Sequence, residues 1–229
     1  MQRELREAAA HVFVADLAAP ELAPDDRHHL ERVLRLRPGQ DITVSDGDGS
    51  WRRCRFGPAL EPVDEICHDE RPAPTVTIAM ALTKGERLDW AVQKLTELGV
   101  DRVVPMEAAR SVVRWERDRV AHHTERLRRI ARQAAMQSRR TWLPAVEDLR
   151  PFAEVAASTG AALAEPGGPP PSVDRPTVLV GPEGGWSPEE AATPVSRVGL
   201  GPTILRTETA AVACGTLLCG LRAGLVAPG

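Results

Sequence analysis

From Thr75 onward the chain alternates short apolar, β-branched runs with segments of helical spacing, and this alternation limits the fold most. Thr75 to Leu82 reads as a buried strand. Glu86 to Leu98 sets Leu88, Ala91, Val92, Leu95 and Leu98 at helical spacing, and Gly99 stops it. Val103-Val104 reads as a strand. Glu116 to Arg139 predicts a long arginine-rich helix with Val120, Leu127, Ile130, Ala131 and Ala134 on one side. Ala161 to Ala164, Thr177 to Val180 and Val198-Gly199-Leu200 supply three more short strands. Thr209 to Leu225 is a small-residue helix, apolar almost all round, which predicts burial in the domain or in a dimer. Strands alternating with helices predict an α/β domain whose parallel sheet is covered on both faces.

Arg71-Pro72-Ala73-Pro74 is a stiff linker and divides the chain into residues 1–72 and 73–229. The first part reads as a small β-rich unit. His11 to Val14 is a short strand. Asp25 to Leu36 is a short helix with Asp25 or Asp26 as N-cap. Asp41 to Asp46 and Trp51 to Phe56 alternate around Gly47-Asp48-Gly49, a hairpin pattern. Val63 to His68 adds a further strand candidate.

No apolar run approaches the ~20 residues that a membrane span needs. Met1 to Ala10 lacks the apolar core of a secretory signal. The expectation is a cytoplasmic protein with no membrane partner. Cys54, Cys67, Cys214 and Cys219 show no C-x-x-C spacing, so free thiols are expected.

The net charge of -3 hides an uneven distribution. Residues 110–140 hold ten arginines against Glu116, Asp118 and Glu125, a balance of +7 that leaves the rest near -10. A localised basic stretch fits a phosphate footprint, and it equally fits a solvated arginine-rich helix in a chain with only two lysines. Trp51, Arg53 and Arg55 share one face of their strand and Arg52 the other. Those arginines are candidates for phosphate contacts, and Trp51 for base stacking or for packing.

Nucleotide-binding and hydrolase signatures are missing: there is no P-loop, no G-x-G-x-x-G after a strand, no H-E-x-x-H and no G-x-S-x-G. The pairs His28-His29 and His122-His123 have no companions at ligand spacing, so no metal is expected. Two glycine-bearing loops remain, each directly after a predicted strand. Val180 runs into Gly181-Pro182-Glu183-Gly184-Gly185, and Leu200 into Gly201-Pro202-Thr203-Ile204-Leu205. In an open α/β sheet such positions take ligands, with glycine letting backbone groups approach; ordinary turns have the same look. Arg206-Thr207-Glu208-Thr209 then wedges polar residues before an apolar helix, with Thr207 as candidate N-cap.

Taken with Leu200-Gly201-Pro202-x-Ile204-Leu205-Arg206-Thr207-Glu208-Thr209-Ala210, the Gly181 to Gly185 loop resembles the RsmE family of 16S ribosomal RNA uracil-N3 methyltransferases. That family lies within the SPOUT superfamily. Lys84-Gly85-Glu86-Arg87 with Gln93-Lys94-x-Thr96-Glu97-Leu98-Gly99-Val100 is similar to its first helix. Arg110-Ser111-Val112-Val113, and Ala134-Ala135-x-Gln137-Ser138-x-Arg140 before Pro144, are similar to two later segments. The resemblance implies a trefoil-knotted SPOUT-type parallel-sheet domain after a small PUA-like RNA-binding domain, and a homodimer. It implies S-adenosyl-L-methionine held by Leu82, Val180 to Gly185, Leu200 to Pro202, Ile204, Leu205 and Thr209. It implies 16S rRNA or the small ribosomal subunit as partner, contacted by Lys84, Lys94, Arg110, Gln137, Ser138 and Arg140 beside Arg52, Arg53 and Arg55.

The chain departs from the family pattern at Met136, where an acid is common, and at Val12, where an arginine is common; Arg3 and Arg6 are the nearby substitutes. Uracil N3 carries a proton, so methyl transfer there needs a base. With no tyrosine in the chain, Glu208 is the candidate base and Arg206 the candidate stabiliser of charge on the uracil oxygens. Two other readings stay open: a non-catalytic RNA-binding assembly factor, and a SPOUT enzyme acting on another RNA atom.

Overall fold

The computed structural model describes residues 3–227 and resolves two compact units. Residues 1–71 with 135–143 form the first, and residues 72–134 with 144–229 the second.

The first unit begins with helix α1 (Arg3–Glu7) and strand β1 (His11–Phe13). Strands β2 (Asp41–Ser45) and β3 (Ser50–Arg55) form the expected antiparallel hairpin, Ile42 facing Cys54 and Ser45 facing Trp51. Strand β1 pairs with β2 in parallel, and β4 (Glu61–Pro62) and β5 (Cys67–His68) both pair with β3. Of the strand expected over 63–68 only Cys67–His68 forms, as β5, and β4 lies just before that stretch. The expected helix at 25–36 is α2 (Pro24–His28), continued by a π-helical turn over His29–Val33. Its N-cap is Ala23 rather than an aspartate, because Pro24 sets the first helical φ itself. Only Leu30 of its apolar positions reaches the core; Val33 and Leu34 stay exposed.

The core of this unit gathers Val12, Val14, Leu30, Ile42, Val44, Cys54 and Phe56, with Met136 packed against them. Val12 is fully buried there, so the family's arginine has no counterpart at that place. Trp51 is also inside, at 1% exposure. Packing therefore decides between its two readings, and a stacking role for Trp51 is withdrawn.

His11 closes the unit. Its Nδ1 lies 2.8 Å from Thr43 Oγ1 and its Nε2 3.0 Å from the carbonyl oxygen of Arg140. A carbonyl only accepts, so Nε2 donates; in the neutral ring that burial favours, Nδ1 accepts from the threonine hydroxyl. Burial lowers its pKa from 6.5 to about 4, with the Arg139 charge adding to the effect and the Arg140 bond opposing it. The folded ring therefore stays neutral where an unfolded one takes a proton. Stability is complete above pH 6.5 and is lost as pH falls toward 4, by about 3 kcal/mol over the whole window. Urea unfolding from pH 7.5 to 4 should show this slope, and His11→Phe should flatten it. An unchanged slope in the variant would refute the assignment.

The second unit holds strand β6 (Thr77–Ala81), helix α3 (Arg87–Glu97), strand β7 (Arg102–Glu107) and helix α4 (Val120–Gln137) up to Ala134. Then come β8 (Ala145–Val146), β9 (Arg150–Pro151), α5 (Phe152–Ala156), β10 (Ala161–Ala164), β11 (Thr177–Val180), α6 (Pro188–Ala191), β12 (Ser196–Val198) and α7 (Thr207–Arg222). The sheet order is β12-β10-β11-β6-β7-β8, with β9 also on β7, and every pair is parallel. Alternation sorts the strand residues to two faces. Ile78, Met80, Val178, Val180, Val103 and Ala162 meet Leu88, Leu95, Leu127, Ala211 and Leu218 from α3, α4 and α7. Ala79, Leu179, Leu163, Val104 and Met106 meet Phe152 and Val155 of α5, with Trp186 packed on them.

The bounds of three elements differ from expectation. Strand β12 stops at Val198, because Gly199 leaves the ladder to donate its N–H to the Pro169 carbonyl at 2.8 Å. Helix α4 starts at Val120, after a 3-10 turn over Arg117–Arg119. Helix α7 begins two residues early, at Thr207, and ends at Arg222. It is not buried all round. Ala210, Ala211, Cys214, Leu218 and Cys219 face the core, whereas Thr209 and Thr216 are exposed and Val212, Ala213 and Leu217 half-buried. Its C-terminal end is anchored by a buried ion pair between Arg222 and Asp101, with Arg222 also donating to the Pro74 and Gly99 carbonyls. All four cysteines are free thiols, three of them buried.

Candidate functional site

Because the second sheet is wholly parallel, the carboxyl ends of β6, β7, β10, β11 and β12 share one edge, where open α/β sheets take ligands. The two glycine loops singled out in the sequence both leave from that edge. A cavity of about 400 Å³ opens between them. Its walls come from Ala164 to Pro166 after β10, Val180 to Trp186 after β11, Leu200, Gly201, Thr203 to Leu205 after β12, and Thr207 and Ala210 of α7. That size lies within the range of small-molecule pockets.

Local chemistry holds the walls in place. Thr207 does not cap α7: the N-cap is Arg206, which makes no side-chain capping bond. The Thr207 hydroxyl instead donates to the Gly181 carbonyl at 2.9 Å, tying the helix start to the β11 loop. The Trp186 ring stacks under Gly181, so closely that a Cβ there would lie 3.0 Å from it, and its Nε1–H donates to the Ala164 carbonyl. Ser187 and Glu190 form a capping box at α6, and Glu190 Oε1 accepts from Ala109 N at 2.7 Å. The β7 loop is thereby joined to the β11 loop. Arg110 reinforces this by donating to the Gly184 carbonyl at 3.2 Å.

Among the lining residues there is no lysine, arginine or histidine, while Glu165 and Glu183 contribute carboxylates. Each carboxylate is met from outside, Glu165 by Arg197 at 2.8 Å and Glu183 by Arg87 at 2.5 Å. Such a wall suits an uncharged or cationic ligand with hydrogen-bonding groups and offers a polyphosphate no basic side chain.

Of the expected cofactor residues, Val180 to Gly185, Leu200, Gly201, Ile204 and Leu205 line this cavity together. Leu82, Pro202 and Thr209 do not; Leu82 lies in the core on the α3 side. Thr203, within the second glycine loop, lines it as well, and Ala164, Glu165, Pro166, Trp186, Thr207 and Ala210 line it without having been expected. Arg206 is exposed just before α7. Glu208, in the first turn, is 9% exposed. Its Oε1 lies 3.6 Å from Arg87 Nε, and its buried Oε2 has no hydrogen-bond partner among the described residues.

The expected RNA contacts are spread over both units. Lys84 and Arg110 are exposed, and Lys94 pairs with Glu97 at 2.8 Å. Gln137, Ser138 and Arg140 belong to the first unit, Gln137 exposed and the other two half-buried. Arg55 is exposed. Arg53 is held by Asp64 at 2.7 Å, and Arg52 by the carbonyls of Leu17 and Asp64, so both also serve the unit's own structure. Among the described residues no group of histidine, cysteine and acidic side chains gathers at a metal-binding distance, and no helix is long and apolar enough to cross a membrane.

Comparison with known proteins places these features in company. The family model described as RNA methyltransferase domain matches residues 69–219, and the RNA methyltransferase PUA domain matches residues 22–57. The ribosomal RNA small subunit methyltransferase E of Mycobacterium bovis is 34% identical over 218 residues, covering 84% of this chain and 83% of the relative. That of Bacillus subtilis is 31% identical over 219 residues, covering 81% and 84%. The crystal structure of ribosomal RNA small subunit methyltransferase E from Neisseria gonorrhoeae bound to S-adenosyl methionine aligns with TM-score 0.77. Its identity is 26%, covering 93% of this chain and 97% of that one.

Proposed function

Since the chain belongs to the RsmE family of RNA methyltransferases, we propose that it methylates N3 of a specific uridine in 16S rRNA, using S-adenosyl-L-methionine. The observation that carries the reading is the cavity at the sheet's carboxyl edge, with its glycine-rich backbone walls, its apolar floor and no basic side chain. Those walls fit an adenosyl group read by main-chain N–H and C=O groups of residues 181–185 and 200–205. The methyl donor, when bound, supplies a methyl group on a positively charged sulfur.

The residues of the chain have the remaining work. Thr207 and Arg110 hold the β11 loop in shape. Glu208 is the base for the N3 proton. Arg206, exposed just before it in the chain, would stabilise negative charge on the uracil oxygens. N3 lies on the Watson–Crick edge, so the target base has to be unpaired or flipped out. The surrounding RNA would be held by the PUA-like domain through Arg55 and by Lys84 on the SPOUT-type domain. A homodimer in the cytoplasm completes the reading. The half-buried apolar face of α7, together with Ile204 at 84% exposure, supports a partner copy.

Mass spectrometry of small-subunit rRNA tests the function. Deleting the gene should remove 3-methyluridine at one position, and adding the purified protein with S-adenosylmethionine should restore it. Unchanged 3-methyluridine, or loss of a different methylated nucleoside, would refute the reading.

A further inference from the structure

Arg87 has no part in the reading so far. It is the first residue of α3, following the segment that leaves β6. Its Nη1 donates to Glu183 Oε1 at 2.5 Å, and its Nε lies 3.6 Å from Glu208 Oε1. One guanidinium thus spans the cofactor loop and the first turn of α7.

The two partners differ in burial. The Glu183 side chain is 60% exposed, whereas that of Glu208 is 12% exposed. An exposed pair of the first kind contributes little to stability. A nearly buried carboxylate is another matter, because leaving it without a compensating charge is unfavourable. Among the described residues Arg87 is the cation paired with Glu208. It approaches Oε1 and leaves Oε2 without a partner. A planar fork can serve two carboxylates in fixed directions, which a lysine point charge cannot.

We propose that Arg87 is a positioning residue for methyl transfer: it holds the Glu208 carboxylate through Oε1 and ties it to the cofactor loop through Glu183. The proposal rests on Glu208 being the base.

A double-mutant cycle on the full chain tests it. Methylation of small-subunit rRNA lacking the modification is measured at saturating RNA and S-adenosylmethionine for wild type, Arg87→Gln, Glu208→Gln and the double variant. Calorimetry gives the cofactor affinity of each, and thermal melting its foldedness. Arg87→Gln should lower the maximal rate about tenfold, with cofactor affinity kept within about threefold, and should cause no further loss once Glu208 is Gln. An equal loss in both backgrounds, or a loss confined to cofactor affinity, overturns the proposal while leaving Glu208 as base. A fully active Glu208→Gln overturns both. Should Arg87→Gln melt early, Arg87→Lys takes its place in the cycle. A partial loss that vanishes with Glu208→Gln supports the proposal, and one that persists overturns it.

Discussion

Glu208→Gln should lower the maximal methylation rate by about 10²- to 10⁴-fold, the contribution of a positioned general base, while S-adenosylmethionine still binds. The substitution is nearly isosteric and lies in the first turn of a long helix whose other contacts stay in place. It removes the ability to accept the N3 proton and the negative charge that pairs with Arg87, while keeping the side chain's size. Glu208 is not among the residues lining the cavity, which is why binding should survive. Calorimetric titration and single-turnover methylation of the same preparation separate the two quantities. A variant with wild-type turnover would remove Glu208 from the chemistry altogether.

Gly199→Val should cost the protein its cofactor site. The segment after β10 folds back on the end of β12: Glu165 N donates to Val198 O at 2.9 Å, and Gly199 N to Pro169 O at 2.8 Å. Gly168 and Gly199 meet backbone to backbone at that point. A Cβ on Gly199 would overlap the Gly168 carbonyl oxygen and come within 3.0 Å of its carbon. Neither atom can yield as a flexible side chain would, so one of the two segments has to move. The first carries Glu165 and Pro166, the second Leu200 and Gly201, and both are cavity walls. Cofactor affinity should fall by more than tenfold, with a stability loss of about 1–3 kcal/mol. Wild-type affinity with an unshifted melting temperature would show that the approach of the two glycines is unimportant.

The sequence made the central sheet legible because Thr77–Ala81, Thr177–Val180 and Ala161–Ala164 are buried on both faces and read as unbroken apolar runs. The two-residue strands Ala145–Val146 and Arg150–Pro151 carry no period and were invisible. The cavity was half legible. Its glycine loops announce themselves, but Ala164, Trp186 and Ala210 look like ordinary packing residues until the strands are set side by side. Ala210 had one available signal, since it lies one helical turn beyond Thr207 on the same face. Thr207 itself was misread as a cap because its hydroxyl has a better partner, the Gly181 carbonyl, distant in sequence. The Arg87 bridge depends on three separate segments meeting, which no local pattern encodes. Trp51 shows the limit in the other direction: a period-2 reading placed it on the arginine face, yet the strand buries it.

The strand order has a consequence for how the protein comes into being. Strand β6 is made early but sits between β7 and β11, so its second neighbour is missing until residues 177–180 have been translated. The cavity walls arrive later still, closing only when α7 lays Thr207 and Ala210 against the β11 loop. With the cavity as the proposed cofactor site, a nascent or partly folded chain offers the cofactor no site. Its binding draws the folding equilibrium only toward the completed molecule, which makes the methyl donor a stabiliser of the finished enzyme as well as its substrate.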